Sequence, residues 1–439
     1  MEELGDAVAK KLFNFQEDTV NVLLDNPKKH IVVAEVGLGK GAISVSWAKG
    51  LCKRENKHKV LVITTASKVH VKDKLKRNDF EQDADEFCGE DFRFTTKFET
   101  VSWDMLYKWV DEHRRELNEW VYIADEIFKA KTSTSRRGKA FQKIAQATMD
   151  WTGYTATPGD KYIDLQGYFQ ACGLVRNVTH FKRDFCIIQT FKGFPEIVGY
   201  LNEPVLKRWW AEISYAPDTQ KALQELPKAT YKVVGLPKPK GYEKVLKMRQ
   251  KLCEDGTLSE DYEDFLDNPS KTAHYLRQLC FTKEKQQWLS DFLEGLGENC
   301  IIFYNYRETG DTIEQLALKA LPKGAKVWRI DGSHHEIPTK ETIGKYDIVL
   351  AQWQSGAEGL NVQYARVWIA AEMTYSYTTH HQAKGRVMRI GQTRPVFYYL
   401  LKTQKTIEDD ILKCIQEKRD FAENVWLLGN GLIKEKDEH

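Results

Sequence analysis

The features that this sequence lacks narrow the class of protein to which it can belong. Its eight cysteines include no Cys-x-x-Cys spacing, and the histidine pairs at 334–335 and 380–381 have no partners at the spacing of metal ligands. No apolar run reaches the roughly 18 residues that a membrane-spanning helix requires, and residues 1–6 show no signal-peptide pattern. We therefore expect a cytoplasmic protein with reduced cysteines and no membrane association.

The sequence also lacks an excess of charge of either sign. Its 65 Lys and Arg residues nearly balance 63 Asp and Glu residues, which leaves a net charge of +2. A nucleic-acid partner would therefore have to meet a local basic stripe. Candidate stripes lie at 68–77, 129–139 and 182–183. In the second, Ser and Thr hydroxyls accompany the cations, which suits phosphate contacts, whereas the first fits a solvated helix face equally well.

A short apolar run at 31–34 predicts a buried strand, and Gly37-Leu38-Gly39-Lys40-Gly41 follows it before a helical pattern. Strand, glycine-rich turn, lysine and helix is the order of a P-loop, whose backbone N–H groups and lysine hold phosphates. Two positions depart from that pattern. Ala34 replaces its first glycine, and Gly41 replaces the Ser or Thr whose hydroxyl binds Mg²⁺. One metal ligand is therefore missing, and we expect water to replace it.

An acidic pair, Asp125-Glu126, follows a second apolar run at 120–124. Carboxylates at the carboxyl end of a parallel strand face the ligand crevice of an open α/β sheet. We predict that Asp125 holds Mg²⁺ and that Glu126 orients or deprotonates the attacking water. After a further strand at 151–154, the hydroxyls of residues 155–157 are candidates for sensing the γ-phosphate.

Two arginines, Arg386 and Arg389, stand three residues apart in the segment 382–392. This spacing predicts that both project from one helical face. A guanidinium is permanently charged and pairs with two phosphate oxygens at once, which suits the charge of a phosphoryl group in transfer. The alternative is a solvated basic helix.

Nine motifs follow one another in a fixed order along the chain. They are FNFQ at 13–16, GLGK at 37–40, TTASK at 64–68, DE at 125–126, TATP at 155–158, FYNYRET at 303–309, DGS at 331–333, SGAEGLN at 355–361 and QAKGRVMRIGQ at 382–392. Over about residues 10–425, this array resembles a superfamily-two helicase of the Snf-type branch of double-stranded DNA translocases, in a compact form typical of bacteria and bacteriophages. The resemblance implies two tandem RecA-like P-loop domains, which are α/β with parallel sheets flanked by helices and with helical insertions between them.

The resemblance also implies roles for individual residues, with ATP and Mg²⁺ as cofactors. It assigns catalysis to Lys40, Asp125, Glu126, Arg386 and Arg389, and the metal to Asp125. Residues expected at the nucleotide are Gln16 (to adenine), Gly37, Gly39, Lys40, Gly41, Gly356, Glu358 and Gln382. Gly356, Glu358 and Asn361 match the motif that couples DNA contact to hydrolysis. Candidates for DNA contact are Thr65, Ser67, Lys68, Ser102, Lys131, Tyr304, Arg307, Ser333 and Ser355. Ile127 and Phe128 depart from the family's DEAH box, so the link made by its histidine is absent or replaced.

The 439 residues suffice for two or three domains. We expect lobe 1 at 1–226, with a helical appendage at about 161–226, a linker and helical connector at 227–280, and lobe 2 at 281–439. The segment 235–241 holds two prolines and two glycines, which indicates a linker. A closing amphipathic helix is expected at 408–427.

These features predict an ATP-dependent motor that moves along duplex or branched DNA without sequence specificity, as a monomer. Its expected setting is DNA replication, recombination or repair in the cytosol of a bacterium or a phage-infected cell, with proteins of those processes as candidate partners. Two alternatives stay open. One is a helicase that separates strands or remodels forks, although no wedge hairpin is evident in the sequence. The other is an ATP-gated DNA-binding scaffold with weak hydrolysis.

Overall fold

The computed structural model describes residues 10–69, 77–159, 161–191, 194–218, 227–255, 268–334, 336–356, 362–389, 392–421, 426 and 430. It divides the chain into two compact units, Met1–Glu225 and Leu226–His439. Within the described residues, no helix combines the length and the apolar character that crossing a bilayer demands. All eight cysteines carry free thiols.

The first unit is built on a parallel sheet. Its strands are β1 Ile31–Val33, β2 Lys59–Thr64, β3 Lys97–Ser102, β4 Val121–Asp125, β5 Trp151–Thr155 and, later in the chain, β8 Ser214–Tyr215. They lie in the order β3-β2-β4-β5-β1-β8, and every described pairing among them is parallel. All of β4 and β5 is buried, which explains the continuous apolar run at 121–124 of β4. Because parallel strands end at the same edge, the segments after β1 and β4 meet there.

Helices accompany this sheet. They are α1 Asn14–Asp25, α2 Lys40–Glu55, α3 Ala66–Val69, α4 Asp79–Cys88, α5 Glu90–Thr95, α6 Leu106–Glu112, α7 Arg136–Ala147, α8 Tyr162–Ala171, α9 Val178–Phe185 and α10 Glu203–Ile213, with 3₁₀ turns at Leu117–Glu119 and Ile127–Ala130. The strands predicted at 31–34, 120–124 and 151–154 are confirmed, but β3 was missed. Its mixed sequence Lys-Phe-Glu-Thr-Val-Ser suits a strand at the edge of a sheet, where burial is incomplete.

The expectation of a helical appendage at 161–226 is only partly correct. The strands β6 Cys186–Phe191 and β7 Phe194–Tyr200 form an antiparallel hairpin between α9 and α10. The hairpin is rich in β-branched and aromatic residues, which fit a pleated surface better than a helix. No wedge hairpin was evident in the sequence, so this hairpin supplies an element that the strand-separation alternative lacked.

The second unit carries another parallel sheet. Its strands are β9 Ala229–Leu236, β10 Cys300–Tyr304, β11 Val327–Ile330, β12 Ile348–Gln352, β13 Val367–Ala370 and β14 Val396–Thr403. They lie in the order β11-β12-β10-β13-β14-β9, again with parallel pairings. Two successive parallel α/β sheets confirm the predicted fold class.

The linker assigned to residues 235–241 begins inside a strand. β9 pairs with β14 along its whole length, from Ala229 opposite Val396 to Leu236 opposite Thr403. A Cβ on Gly235 would overlap the amide of Gln404, so this glycine reflects a close neighbour and not flexibility. The linker interpretation is therefore wrong for Gly235 and Leu236, which belong to the second sheet.

The helices of the second unit are α11 Tyr242–Asp255, α12 Pro269–Leu279, α13 Lys283–Leu296, α14 Arg307–Ala320, α15 Trp353–Gly356, α16 Tyr377–Lys384 and α17 Ile407–Gln416. The closing helix predicted at 408–427 therefore ends early. Lys418 adopts a left-handed backbone with φ of 57°, and the N–H of Arg419 donates to the carbonyl of Cys414. This geometry terminates helices, and side-chain periodicity alone does not reveal it.

A buried ion pair joins two helices of this unit. The Lys285 side chain is fully buried, and its Nζ lies 2.8 Å from Oε1 of Glu408, which is itself almost inaccessible. The same Nζ donates to the carbonyl of Ala371, and Oε2 of Glu408 accepts from the N–H of Thr403. Both charges are thus compensated, as burial in an apolar core requires.

Candidate active site

The P-loop of the first unit has the backbone that phosphate binding needs. Gly37 and Gly39 adopt φ angles of 89° and 70°, in the left-handed region that favours glycine. α2 begins at Lys40, so its N-terminal N–H groups are available to an anion. The Lys40 ammonium donates to the carbonyls of Ala34 and Glu35, at 3.2 and 3.1 Å, and so lies folded over the loop.

Gln16 braces this loop. Its Nε2 donates to the carbonyl of Leu38 at 3.1 Å, and its Oε1 accepts from the N–H of Phe13 at 3.0 Å. A Cβ on Gly39 would overlap that Nε2, so a glycine is needed there for packing as well as for φ. Each end of the Gln16 amide thus contacts a protein atom. The amide has two N–H donors and two acceptor lone pairs, so these contacts do not exclude adenine, and contact with adenine stays a prediction.

Asp125 ends β4 inside a network of hydrogen bonds. Its Oδ2 accepts from Thr64 Oγ1 and Lys68 Nζ, each at 2.7 Å, and its carbonyl accepts from Trp103 Nε1 at 2.8 Å. Burial opposes ionisation of this carboxyl, but Lys68, the Thr64 hydrogen bond and the charge of Lys40 together hold its pKa below the ordinary value. Asp125 is therefore anionic at neutral pH, as a metal ligand must be.

The Lys68 side chain therefore has a different partner from the DNA phosphate predicted for it. We expected a DNA contact, but its ammonium pairs with Asp125 on the nucleotide side of the first unit. Only 16% of its side chain is exposed. Sequence reasoning missed this contact because it joins α3 to the end of β4, 57 residues further along the chain.

Glu126 is buried and adopts a left-handed backbone, with φ of 51°. Such a conformation is uncommon for a residue with a side chain, and strained residues of this kind cluster at functional sites. The next residue, Ile127, is fully buried, and its Cβ would lie 3.0 Å from a Cβ on Gly153 of β5. The departure from the DEAH pattern at Ile127 thus places an apolar side chain in the core beneath the acidic pair.

The residues of this site fit a magnesium ion that is bound through a nucleotide. No group of three carboxylate, histidine or cysteine side chains forms a ready metal cage among the described residues. Mg²⁺ in phosphoryl-transfer sites normally takes only one or two carboxylates, with phosphate oxygens and water as its other ligands. Asp125, whose ionised form is favoured by the charge of Lys40, supplies one such carboxylate.

The arginine segment of the second unit differs from the prediction of a single helical face. α16 ends at Lys384, with Gly385 as its C-cap, so Arg386 lies in a turn and Arg389 lies beyond the helix. Arg386 is buried, whereas Arg389 is half-buried. The prediction of one face is wrong because it extended the helix through a glycine at which the helix ends.

Gln392 connects this segment to the rest of the second unit by hydrogen bonds. Its Nε2 donates to the carbonyl of Gln363 at 2.8 Å and lies 3.4 Å from the carbonyls of Ala365 and Val387. The final glutamine of the QAKGRVMRIGQ motif therefore has a structural role that we had not assigned. Gln382, predicted near the nucleotide, is buried on α16.

Glu372 organises another motif. It is fully buried after β13 and accepts from the N–H groups of Asn305 and Tyr306 and from Thr309 Oγ1, at 2.7, 3.2 and 2.9 Å. It thus caps the start of α14 and holds the FYNYRET motif in place. Burial raises the pKa of this carboxyl. No sequence signal distinguished Glu372, because its partners lie more than 60 residues away.

Gly356 is required for packing at the end of α15. A Cβ there would lie 2.6 Å from the Cβ of Ala351. The other predicted residues of this motif, Glu358 and Asn361, lie outside the described residues. Their predicted roles therefore remain predictions.

The predicted DNA contacts divide by accessibility. Thr65, Ser102 and Tyr304 are buried, and the Tyr304 hydroxyl lies 3.5 Å from Asp331, so these three do not present their side chains to a phosphate in this structure. The side chain of Ser67 lies outside the described residues. Lys131 is partly exposed but paired with Asp164 at 3.0 Å. In the second unit, Arg307 and Ser333 are exposed and Ser355 is half-buried.

A basic groove of about 620 Å³ lies on the first unit just after the acidic pair. Its walls are Asp104, Phe128, Lys129, Lys131, Thr132, Ser135, Arg136 and Arg137. Arg137 pairs with Asp104, and the Arg136 guanidinium stacks over Tyr107. The groove corresponds to the basic stripe predicted at 129–139, where cations and hydroxyls gather.

Parts of the chain are similar to known proteins. Residues 284–391 match the helicase conserved C-terminal domain. The chain is 28% identical over 145 residues to the uncharacterised ATP-dependent helicase YqhH of Bacillus subtilis, covering 31% of this chain and 24% of that protein. It is 26% identical over 200 residues to the chromatin structure-remodelling complex subunit snf21 of Schizosaccharomyces pombe, covering 43% and 16% respectively. The SWI2/SNF2 ATPase core of Sulfolobus solfataricus, solved in complex with double-stranded DNA, is 17% identical with a TM-score of 0.43, covering 96% of this chain and 94% of that one.

The two parallel sheets, the P-loop with its acidic pair and the helicase C-terminal match fit a superfamily-two helicase-like protein with two RecA-like domains. Within that class, the motif array and the similarity to YqhH and snf21 support a Snf-type, helicase-like protein. The matched segments span only 24% of YqhH and 16% of snf21.

Proposed function

We propose that this protein is a DNA-dependent ATPase that moves along duplex DNA without reading its sequence. The observation that carries the proposal is the joint placement, at one sheet edge, of the P-loop after β1 and of an ionised Asp125 with Glu126 after β4. This is the pairing of phosphate cradle, metal ligand and base that ATP hydrolysis needs.

Each residue of the proposed site then has a chemical task. Lys40 and the loop N–H groups would hold the β- and γ-phosphates, and Asp125 would hold the metal. Glu126 takes a proton from the water that attacks the γ-phosphorus, and the bond to the bridging oxygen of ADP breaks. Mg²⁺, when bound, neutralises charge on the phosphate oxygens. Arg386 and Arg389 are proposed to stabilise the charge that develops on the transferring group.

The DNA is proposed to bind through its phosphates. The basic groove after the acidic pair, with exposed Arg307 and Ser333 of the second unit, supplies contacts that carry no base specificity. Binding should therefore weaken strongly as salt rises, because each neutralised phosphate releases counterions. We place this activity in replication, recombination or repair, in the cytosol of a bacterium or a phage-infected cell. The protein is proposed to act as a monomer, with the units Met1–Glu225 and Leu226–His439 as its two ATPase lobes.

Lys40→Ala tests the proposed ATPase directly. We expect it to abolish DNA-stimulated phosphate release, because the variant loses the charge that holds the phosphates, while its circular dichroism spectrum stays that of the parent. Lys53→Ala is the matched control, since Lys53 is an exposed lysine in the last turn of the same helix. Turnover by Lys40→Ala near that of Lys53→Ala would refute the P-loop assignment. Assays without DNA, with single strands and with duplex also separate a motor from a weakly hydrolysing scaffold.

The hairpin of the first unit favours a second candidate function, strand separation. Ile187, Ile188 and Val198 of this hairpin are 41%, 44% and 53% exposed, so the hairpin offers apolar side chains of the kind that wedge between base steps.

Replacing residues 187–199 by a short Gly-Ser linker distinguishes the two functions. If the hairpin separates strands, the variant should lose fork unwinding and keep duplex-stimulated ATP hydrolysis and triplex displacement. A parent protein that displaces triplexes but opens no forks would leave translocation as the function. Unwinding that survives removal of the hairpin would exclude the hairpin as the wedge.

A further inference from the structure

Gly41 leaves the P-loop without its hydroxyl ligand, and the structure shows which group occupies the vacated space. A Cβ built on Gly41 would overlap Oδ2 of Asp83 and lie 3.2 Å from its Cγ. The Asp83 carboxylate therefore fills the volume that the side chain of a Ser or Thr would take. Gly41 is small because an acidic side chain from another helix reaches its position.

Asp83 is held there by a well-anchored helix. α4 begins with a capping box in which Asn78 accepts from the N–H groups of Phe80 and Glu81, and Glu81 accepts from that of Asn78. Phe80 and Ala84 are buried on either side of Asp83 in the sequence. The helix is thus fixed on the first unit, and the carboxylate faces the start of α2 as a consequence of packing.

We propose that Asp83 replaces the missing hydroxyl as the P-loop ligand of Mg²⁺, so that Asp83 and Asp125 hold the metal together. The proposal rests on the proposed ATP site. A carboxylate oxygen is a preferred ligand of Mg²⁺, and one or two carboxylates are its usual complement in nucleotide sites. This assignment replaces our expectation that water alone fills the gap at Gly41.

A carboxylate in place of the hydroxyl changes the charge beside the phosphates, which does not happen in an ordinary P-loop. The hydroxyl is neutral, whereas Asp83 adds a negative charge beside the phosphates. Without a divalent cation that charge repels the nucleotide, and with one it attracts the cation. Nucleotide binding by this protein should therefore depend strongly on Mg²⁺.

The test measures binding of a fluorescent ATP analogue to the full chain with Mg²⁺ and with EDTA, and takes the ratio of the two Kd values as the metal coupling. Asp83→Ala should reduce the coupling by about 10-fold or more, as loss of a metal-binding contact does, and part of that loss should appear as tighter binding in EDTA. Asp83→Asn, which keeps an oxygen ligand but not the charge, should fall between. Gly41→Thr alone should reduce the coupling too, because its side chain collides with Asp83.

The double variant Gly41→Thr with Asp83→Ala tests most directly whether Asp83 replaces the hydroxyl. It provides the hydroxyl and the space for it, so coupling should return towards the parental value. Glu86→Ala is the matched control, since Glu86 is an exposed acidic residue on the same helix. Circular dichroism confirms that each variant folds.

The outcomes separate this inference from the proposed function. If the parent protein binds no nucleotide with or without Mg²⁺, the ATP site itself is wrong. If it binds nucleotide and Asp83→Ala retains the coupling of Glu86→Ala, only the role of Asp83 is overturned. A double variant no better than its worse single variant would likewise reject Asp83 as the substitute for the hydroxyl.

Discussion

Arg389→Ala is expected to lower kcat for DNA-stimulated ATP hydrolysis by about 10³-fold or more, which is the loss typical of a missing arginine finger. The reason is electrostatic. A guanidinium is permanently charged and binds two phosphate oxygens, so its removal leaves the charge of the transition state uncompensated. Phosphate release at saturating DNA and ATP measures the effect.

The structure makes Arg389 a cleaner choice than Arg386. Arg386 is buried, so truncation there would disturb packing as well as charge, whereas Arg389 is half-buried and lies outside the helix. Gln392 fastens the segment independently of the Arg389 side chain. Arg394→Ala, two residues beyond this segment, is the control, since the Arg394 side chain is half-exposed. A change in DNA affinity alone, with kcat preserved, would contradict the finger role of Arg389.

Lys285→Met should destabilise the second unit by about 3–5 kcal/mol, because it leaves the buried Glu408 carboxylate without its cation. Hydrogen exchange of the β13 and β14 amides in the full chain reports this loss without assuming that both units unfold together. Lys283→Met, an exposed position at the start of the same helix, should leave exchange nearly unchanged.

A second substitution shows whether the effect comes from the unpaired charge. Lys285→Met with Glu408→Gln removes both charges but keeps an oxygen that can accept from the N–H of Thr403. The pair should recover most of the lost protection, since a neutral group is far cheaper to bury. If the double variant is as unstable as Lys285→Met alone, lost packing and not an orphaned charge explains the destabilisation.

Much of the fold could be predicted because parallel strands are buried on both faces. Continuous apolar runs such as 120–124 and 300–304 therefore identify strands, and the structure places strands at Val121–Asp125 and Cys300–Tyr304. The strands that were missed have another character. β3 is mixed in composition, and β9 runs into a glycine and proline segment that reads as a linker.

Helix ends were predicted less well than helix interiors. Side-chain periodicity continues past the residue where the backbone turns, as at Gly385 before the two arginines and at Lys418 after α17. The stop depends on a local backbone conformation that satisfies the last carbonyls. The hairpin β6–β7 was missed because its apolar residues do not by themselves distinguish a short strand from a buried helix.

By itself, the sequence determined which chemical groups the candidate site contains. They are a phosphate loop around Lys40, an acidic pair at 125–126 and two arginines at 386 and 389, with no P-loop hydroxyl at Gly41. These are properties of residue type and local spacing. Only the tertiary structure decided that Lys68 pairs with Asp125, that Glu372 caps α14 and that Asp83 fills the space at Gly41. Such contacts join segments far apart in the chain, and packing creates them, so no short stretch of sequence encodes them.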